Sequence, residues 1–283
     1  MDFHPDFIIA HKYRITQCIG NGSFGSVYKG IHIKTNGTVA IKLEDKRTSY
    51  KLLKRETSIM KYLYEHQCRN IPSIYWFGAV NNYMGLVIPF YDCSLLQYRE
   101  MKSISESKLH SIMVQCISIL ESIHNNMVIH RDIKPQNFMV KDGELFLIDF
   151  GLATFYLNEE QYHIPNNIGE HITGTPKYVS HFIHDGCTPS RRDDLISLGY
   201  MYIYLHAQEL PWDSLPSTDN TEYPSELFIL HPNNILRKNL KEIENLTITC
   251  NKINRYIMSF FLFCKNYEYY ETPNYTSLYS LFS

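Results

Sequence analysis

Most of the first ninety residues fall into short apolar runs separated by turn residues, and the pattern is β-rich. Residues 13–19 are rich in β-branched and aromatic side chains and end at a glycine cluster. Residues 26–33 and 38–43 repeat the pattern, with Asn36-Gly37 between them. Such runs with an Asn-Gly turn between them predict a meander of antiparallel strands. From residue 50 to 66 the pattern changes. Leu52, Leu53, Ile59, Met60 and Leu63 fall at three- and four-residue spacings, with charged residues between them, which predicts one amphipathic helix. Residues 74–77 and 84–88 read as two further strands. Beyond Pro89 the pattern is helical. Ser105 is a candidate N-cap for a long segment, 109–125. Residues 192–207 are almost uncharged after Asp194, so this helix belongs in the middle of a core. Residues 256–263 form another buried candidate. No repeat, low-complexity tract or long linker interrupts the chain. The expected fold class is α+β: a small antiparallel-sheet lobe with one helix (residues 1–90), then a larger helical lobe (91–283), together a single domain.

Composition narrows the function. With 44% hydrophobic and 20% charged residues in 283, the chain is neither disordered nor fibrous. Lys plus Arg is 27 against 29 for Asp plus Glu, so the formal net charge is −2. That balance gives no global attraction to nucleic acid or an anionic membrane, and direct nucleic-acid binding is not expected. Seven cysteines are scattered without a C-x-x-C element, which argues against a disulfide framework or zinc ribbon and for a reducing compartment. Met1-Asp2-Phe3-His4-Pro5-Asp6 does not resemble a secretory signal. The apolar runs 195–205 and 257–264 fall short of the roughly 20 residues that span a bilayer. The expectation is a monomeric intracellular chain, cytoplasmic or nuclear, with no membrane anchor.

Four short runs carry chemistry. Gly20-Asn21-Gly22-Ser23-Phe24-Gly25-Ser26-Val27 is a G-x-G-x-x-G-x-V run. Glycines let a backbone approach a phosphate and aim N–H groups at it. Strands on both sides disfavour a dinucleotide site, which needs a strand and a helix, while an ordinary glycine-rich hairpin stays open on this run alone. Val39-Ala40-Ile41-Lys42 follows. A lysine among apolar residues needs an anion if it points inward, and Glu56 or a nucleotide phosphate would serve. In His130-Arg131-Asp132-Ile133-Lys134-Pro135-Gln136-Asn137, Asp132 can orient a hydroxyl and accept its proton. Lys134 can neutralise a phosphoryl group, and Asn137 can ligate a metal. Asp149-Phe150-Gly151 comes twelve residues after Asn137, behind an apolar strand at 145–148. Asp149 offers oxygen to Mg²⁺, a hard cation. Each run alone could be a surface turn, but four in this order are not coincidence.

The set resembles the signature of eukaryotic protein kinases. Lys134 after H-R-D resembles the serine/threonine branch. Where most kinases have A-P-E, this chain has Gly174-Thr175-Pro176-Lys177-Tyr178-Val179-Ser180. It continues with Ser190-Arg191-Arg192-Asp193-Asp194-Leu195-Ile196-Ser197-Leu198-Gly199-Tyr200, and then Leu210-Pro211-Trp212. These elements are similar to the casein kinase I family, and residues 273–282 resemble that family's last helix.

The resemblance implies a bilobal kinase fold that transfers the γ-phosphoryl group of ATP, with Mg²⁺, to serine or threonine of protein substrates. It implies that Lys42, held by Glu56, pairs with ATP phosphates. Asp132 is the catalytic base with Lys134 beside it, and Asn137 and Asp149 hold the metal. Ile19, Ala40, a gatekeeper at Ile88 and the hinge residue Tyr91 join the residues 20–27 in binding ATP. Thr175 and Lys177 face the substrate, and Asp194 anchors the catalytic loop. Family members favour acidic or phosphorylated substrates, and some act in the nucleus, including in DNA repair. This chain departs from them, having no Lys or Arg between Arg192 and Arg237, a stretch that holds Asp213, Asp219, Glu222 and Glu226. An acidic substrate would be repelled there. The rival readings are a pseudokinase scaffold that binds nucleotide and a small-molecule kinase. Neither fits as well, because Lys42, Asp132, Asn137 and Asp149 are all present and the 174–199 elements match protein kinases.

Overall fold

The computed structural model describes residues 7–22, 25–47, 52–215 and 228–283. Residues 1–92 with 146–151 form one unit, and residues 93–145 with 152–283 form another.

The first unit is a six-stranded antiparallel sheet. Its strands are β1 (Ile8–Ile9), β2 (Tyr13–Gly22), β3 (Gly25–His32), β4 (Thr38–Asp45), β5 (Trp76–Val80) and β6 (Tyr83–Pro89). They lie in the order β1-β2-β3-β4-β6-β5. The expected Asn36-Gly37 turn joins β3 to β4, with Asn36 at φ 57°. β5 begins and ends later than the 74–77 expected from sequence. The hairpin explains the shift: Val80 pairs with Tyr83, so the Asn81-Asn82 turn fixes where both strands end. Strand alternation gives the sheet two faces. Val39, Ile41 and Leu43 of β4 join Ile9, Tyr13, Ile15, Tyr28, Val80 and Val87 in one buried core. Ala40 and Lys42 point the other way. The helix α1 (Leu52–Glu65) buries Leu53, Ile59, Met60 and Leu63, and with them Glu56. Residues 50 and 51, the start of the helix expected from sequence, lie outside the described residues.

The second unit is helical. It holds β7 (Cys93–Ser94), α2 (Leu95–Met101), α3 (Glu106–Asn125), β8 (Val128–Ile129), β9 (Phe138–Lys141), the first half of β10 (Glu144–Leu147) and β11 (Thr154–Phe155). These are followed by α4 (His181–His184), α5 (Arg191–Ala207), α6 (Pro232–Leu240), α7 (Ile243–Ile253), α8 (Arg255–Asn266) and α9 (Tyr275–Ser280). Ser105 caps α3 as expected, accepting from Lys108 N at 3.3 Å. α5 is buried at every position from 191 to 203 and packs on α3 and α8; from Leu195 its apolar sequence accounts for this, while Arg191, Arg192, Asp193 and Asp194 are buried with polar partners. α8 is amphipathic rather than wholly buried. Ile257, Phe260, Phe261 and Cys264 face the core, while Leu262 and Phe263 are 44% and 43% exposed. Short pairings β7–β9 and β8–β11 bracket the loop at 130–137.

Candidate active site

Cross-strand register decides which side chains of the first unit share a face. Lys42 pairs with Val27 on one side and Leu86 on the other, and Ala40 pairs with Ile88. Directly opposed residues project to the same side of a sheet. Val27, Ala40, Lys42 and Ile88 therefore share the face away from the Val39-Ile41-Leu43 core. Leu86 belongs to the same set and was missed from sequence, because only register reveals it. Gly20 pairs with Val27, Asn21 with Ser26 and Gly22 with Gly25, so the glycine run is the end of the β2–β3 hairpin. Ser26 Oγ donates to Asn21 Oδ1 at 2.9 Å. Gly25 has φ 121°, and a Cβ there would lie 2.2 Å from Leu43 O, so backbone and neighbour both demand glycine. Ile19 is 47% exposed. Ser23 and Phe24 lie outside the described residues. Tyr91 is buried, with its ring 5.1 Å from that of Phe146.

Lys42 Nζ sits 2.8 Å from Glu56 Oε2 and 2.9 Å from Asp149 Oδ1. Burial opposes its charge, but the two carboxylates outweigh that and raise its pKa, so Lys42 is held as a cation. The sequence offered Glu56 or a phosphate as its anion; the structure supplies Glu56 and adds Asp149. Asp149 has left-handed backbone, φ 65°. For a non-glycine residue that is a costly conformation of the kind found at functional sites.

In the second unit, polar contacts converge on Asp132. Thr175 Oγ1 donates to Asp132 Oδ1 at 2.6 Å, and Thr175 N reaches the same oxygen at 3.2 Å. Lys134 Nζ lies 2.6 Å from Asp132 Oδ2 and 2.9 Å from Thr175 Oγ1. Asn137 Nδ2 donates to Asp132 O at 2.8 Å and to Oδ2 at 3.1 Å. Its nitrogen is thus committed to the loop, leaving the amide oxygen as the group that suits a hard cation. Among the described residues no group of three or more His, Cys, Asp or Glu side chains could cage a metal.

The loop itself is anchored from α5. Asp194 accepts from His130 N at 2.7 Å and Arg131 N at 2.8 Å, and pairs with His124 Nε2 at 3.1 Å. Desolvation disfavours its charge, but these bonds prevail and lower its pKa. Arg131 has φ 68°, and Gly174 comes so close that a Cβ would sit 2.4 Å from Arg131 O. Asp193 plays a parallel part that the sequence reading missed. Its carboxylate accepts from Ser180 Oγ and from Ser190 N and Oγ, tying the 174–180 segment to the start of α5. Lys177 is already engaged, with Nζ 2.8 Å from Asp213 Oδ2 and 4.5 Å from the Tyr204 ring centroid. Asp219, Glu222 and Glu226 lie outside the described residues.

The first unit thus presents a glycine hairpin and a lysine held by two carboxylates, and the second a carboxylate fixed by a lysine, a threonine and an asparagine. A family model described as protein kinase domain matches residues 13–260, from the first residue of β2 into α8. The match covers the sheet of the first unit from β2 onward and the loop at Asp132. It brings with it an α+β fold with an antiparallel-sheet N-lobe and a helical C-lobe, use of ATP with a divalent metal, and protein acceptors. No helix among the described residues is long and apolar enough to cross a membrane. On this match and these residues, the chain belongs to the protein kinase family.

Proposed function

We propose that this kinase phosphorylates serine and threonine, in the manner of the casein kinase I family it resembles, with Mg²⁺ as the metal. The observation that carries the reading is the Asp132-Lys134-Thr175 cluster. Asp132 keeps both carboxylate oxygens in hydrogen bonds that orient it toward an incoming hydroxyl, whose proton it accepts. Lys134 brings positive charge to the same point, where the transferring phosphoryl group carries negative charge. A lysine at this position is the feature of the serine/threonine branch.

Lys42, kept charged by Glu56 and Asp149, is the proposed ligand of ATP phosphates. The glycine run, through the paired residues 20–22 and 25–27, offers backbone N–H groups to those phosphates. Val27, Ala40 and Ile88 offer an apolar surface to the base, with Tyr91 as the hinge donor. Asn137 and Asp149 are the proposed protein ligands of Mg²⁺, which supplies positive charge to offset that of the phosphates. The proposed organisation is one kinase domain over residues 1–283.

Acceptor preference is proposed to differ from that of the resembled family. Lys177 is the cation at the position where that family receives acidic groups, and here Asp213 occupies it. Neutral or basic acceptors are favoured accordingly. The test is phosphate transfer from labelled ATP with Mg²⁺ to an acidic casein-type and a basic histone-type protein, followed by identification of the modified residues. Phosphoserine or phosphothreonine, with the basic acceptor preferred, is the expected result. Phosphotyrosine would overturn the proposed specificity, and a strong preference for the acidic acceptor would overturn the part assigned to Asp213.

A further inference from the structure

Lys241 is buried at the C-terminal end of α6, with 0% of its surface exposed. Its Nζ lies 2.8 Å from Pro176 O, 2.7 Å from Val179 O and 3.0 Å from His184 Nε2. The ring centroids of Trp212 and Tyr200 stand 4.8 and 5.1 Å away. Among the described residues these partners are carbonyls, a ring nitrogen and aromatic faces rather than a carboxylate. Burial, and then repulsion from Arg237, push the lysine pKa well down. The contacts survive either protonation state. An ammonium donates three bonds, the third to His184 Nε2. A neutral amine donates two to the carbonyls and accepts the third from the imidazole N–H. The group is therefore built to hold carbonyls, whatever its charge.

The carbonyls it holds belong to the segment that follows Thr175. Trp212 Nε1 donates to Lys177 O at 2.8 Å, so the carbonyls of residues 176, 177 and 179 are all bound by Lys241 or Trp212. The N–H groups of Tyr178 and Val179 bond back to Thr175 O at 2.8 and 3.1 Å. Thr175 in turn contacts Asp132. A hydrophobic side chain would fill the same space more cheaply, but it would leave buried carbonyls without donors.

We propose that Lys241 is a positioning residue for the protein acceptor, fixing the main chain of residues 176–179 and, through it, Thr175. This rests on the reading of Thr175 and Lys177 as acceptor-side residues. The test is steady-state kinetics of the full chain with a peptide acceptor. Lys241→Met removes the amine and keeps the stem, and Trp212→Phe removes only the indole donor and part of the ring. KM for peptide, KM for ATP, acceptor-independent ATP hydrolysis and thermal unfolding are read for each.

Loss of two buried donor contacts is expected to raise the peptide KM about tenfold in Lys241→Met. KM for ATP and acceptor-independent hydrolysis are expected to stay within about twofold of wild type. A folded Lys241→Met with unchanged peptide KM, or with ATP and peptide terms changed by the same factor, overturns the inference. Where Lys241→Met does not fold, the same split read on Trp212→Phe decides. Thr175→Val and Lys177→Ala separate the two levels. If they raise the peptide KM and Lys241→Met does not, only the inference fails. If none of the three does, the acceptor-side reading fails with it.

Discussion

A carboxylate that is to take a proton from an alcohol needs neighbours that fix its orientation. Asp132 has them in Lys134, Asn137 and Thr175. Of these, Thr175 is the one that contributes a hydroxyl at 2.6 Å, where a substrate hydroxyl would have to compete or align. Thr175→Val is expected to lower kcat about tenfold while thermal stability falls only slightly, measured with saturating acceptor. Lys177 gives a second prediction at this scale. Asp213 accepts from Lys177 Nζ at 2.8 Å and from Leu210 N at 2.9 Å. Asp213→Asn keeps an acceptor oxygen for Leu210 but releases the lysine's charge. Its kcat/KM for an acidic peptide is expected to rise about threefold or more, with little change for a basic one. Lys42, Asp132, Asn137 and Asp149 could be singled out from sequence because their types and order match the runs expected of a phosphate-handling site. Their partners were less legible. The contact between Lys42 and Asp149 joins residues 107 positions apart, and Lys241 to Pro176 joins residues 65 apart. No local period encodes either contact.

Long elements were read nearly to their ends because their burial repeats several times. α1, α3 and α5 each show one or more apolar faces over many turns. β7, β8, β11 and α4 have two to four residues each, too few to show a period, and tertiary pairing alone sets them. α2 did have a local signal, Ser94 and Gln97 in a capping box, which the apolar pattern did not emphasise. The helices also carry a pH dependence. His124 in the last turn of α3 and His184 at the end of α4 are buried, and desolvation lowers the pKa of each below its usual 6.5. A base whose folded pKa is depressed stays neutral in the fold while the unfolded chain takes up a proton. The stability it contributes is complete above pH 6.5 and is lost as pH falls below that value. Each such histidine costs up to about 1.4 kcal/mol per pH unit below its unfolded pKa. Thermal unfolding is expected to show a Tm that drops steadily from pH 7 to pH 5. His124→Gln would flatten part of that slope, whereas an equal slope in wild type and variant would remove His124 from the account.

At the scale of the whole molecule, the division into a sheet unit and a helical unit followed from the change of pattern near Pro89, and the family match from residue 13 to 260 spans both. What the sequence did not disclose is that residues 146–151, with Asp149 and Phe150, group with the sheet unit although they follow more than fifty residues of the other. A segment's allegiance is set by contacts such as Leu147 N to Asn70 O at 2.9 Å, and those depend on the assembled chain. Asp132 is proposed to be the group through which this kinase transfers phosphate. The most direct measurement is transfer from labelled ATP with Mg²⁺ to a protein acceptor by wild type and by Asp132→Asn, with ATP binding measured on both. Transfer by wild type, a fall of about a hundredfold or more in the variant and similar ATP binding in each are expected. Equal transfer by the two proteins, or none by a wild type that still binds ATP, would contradict the proposal.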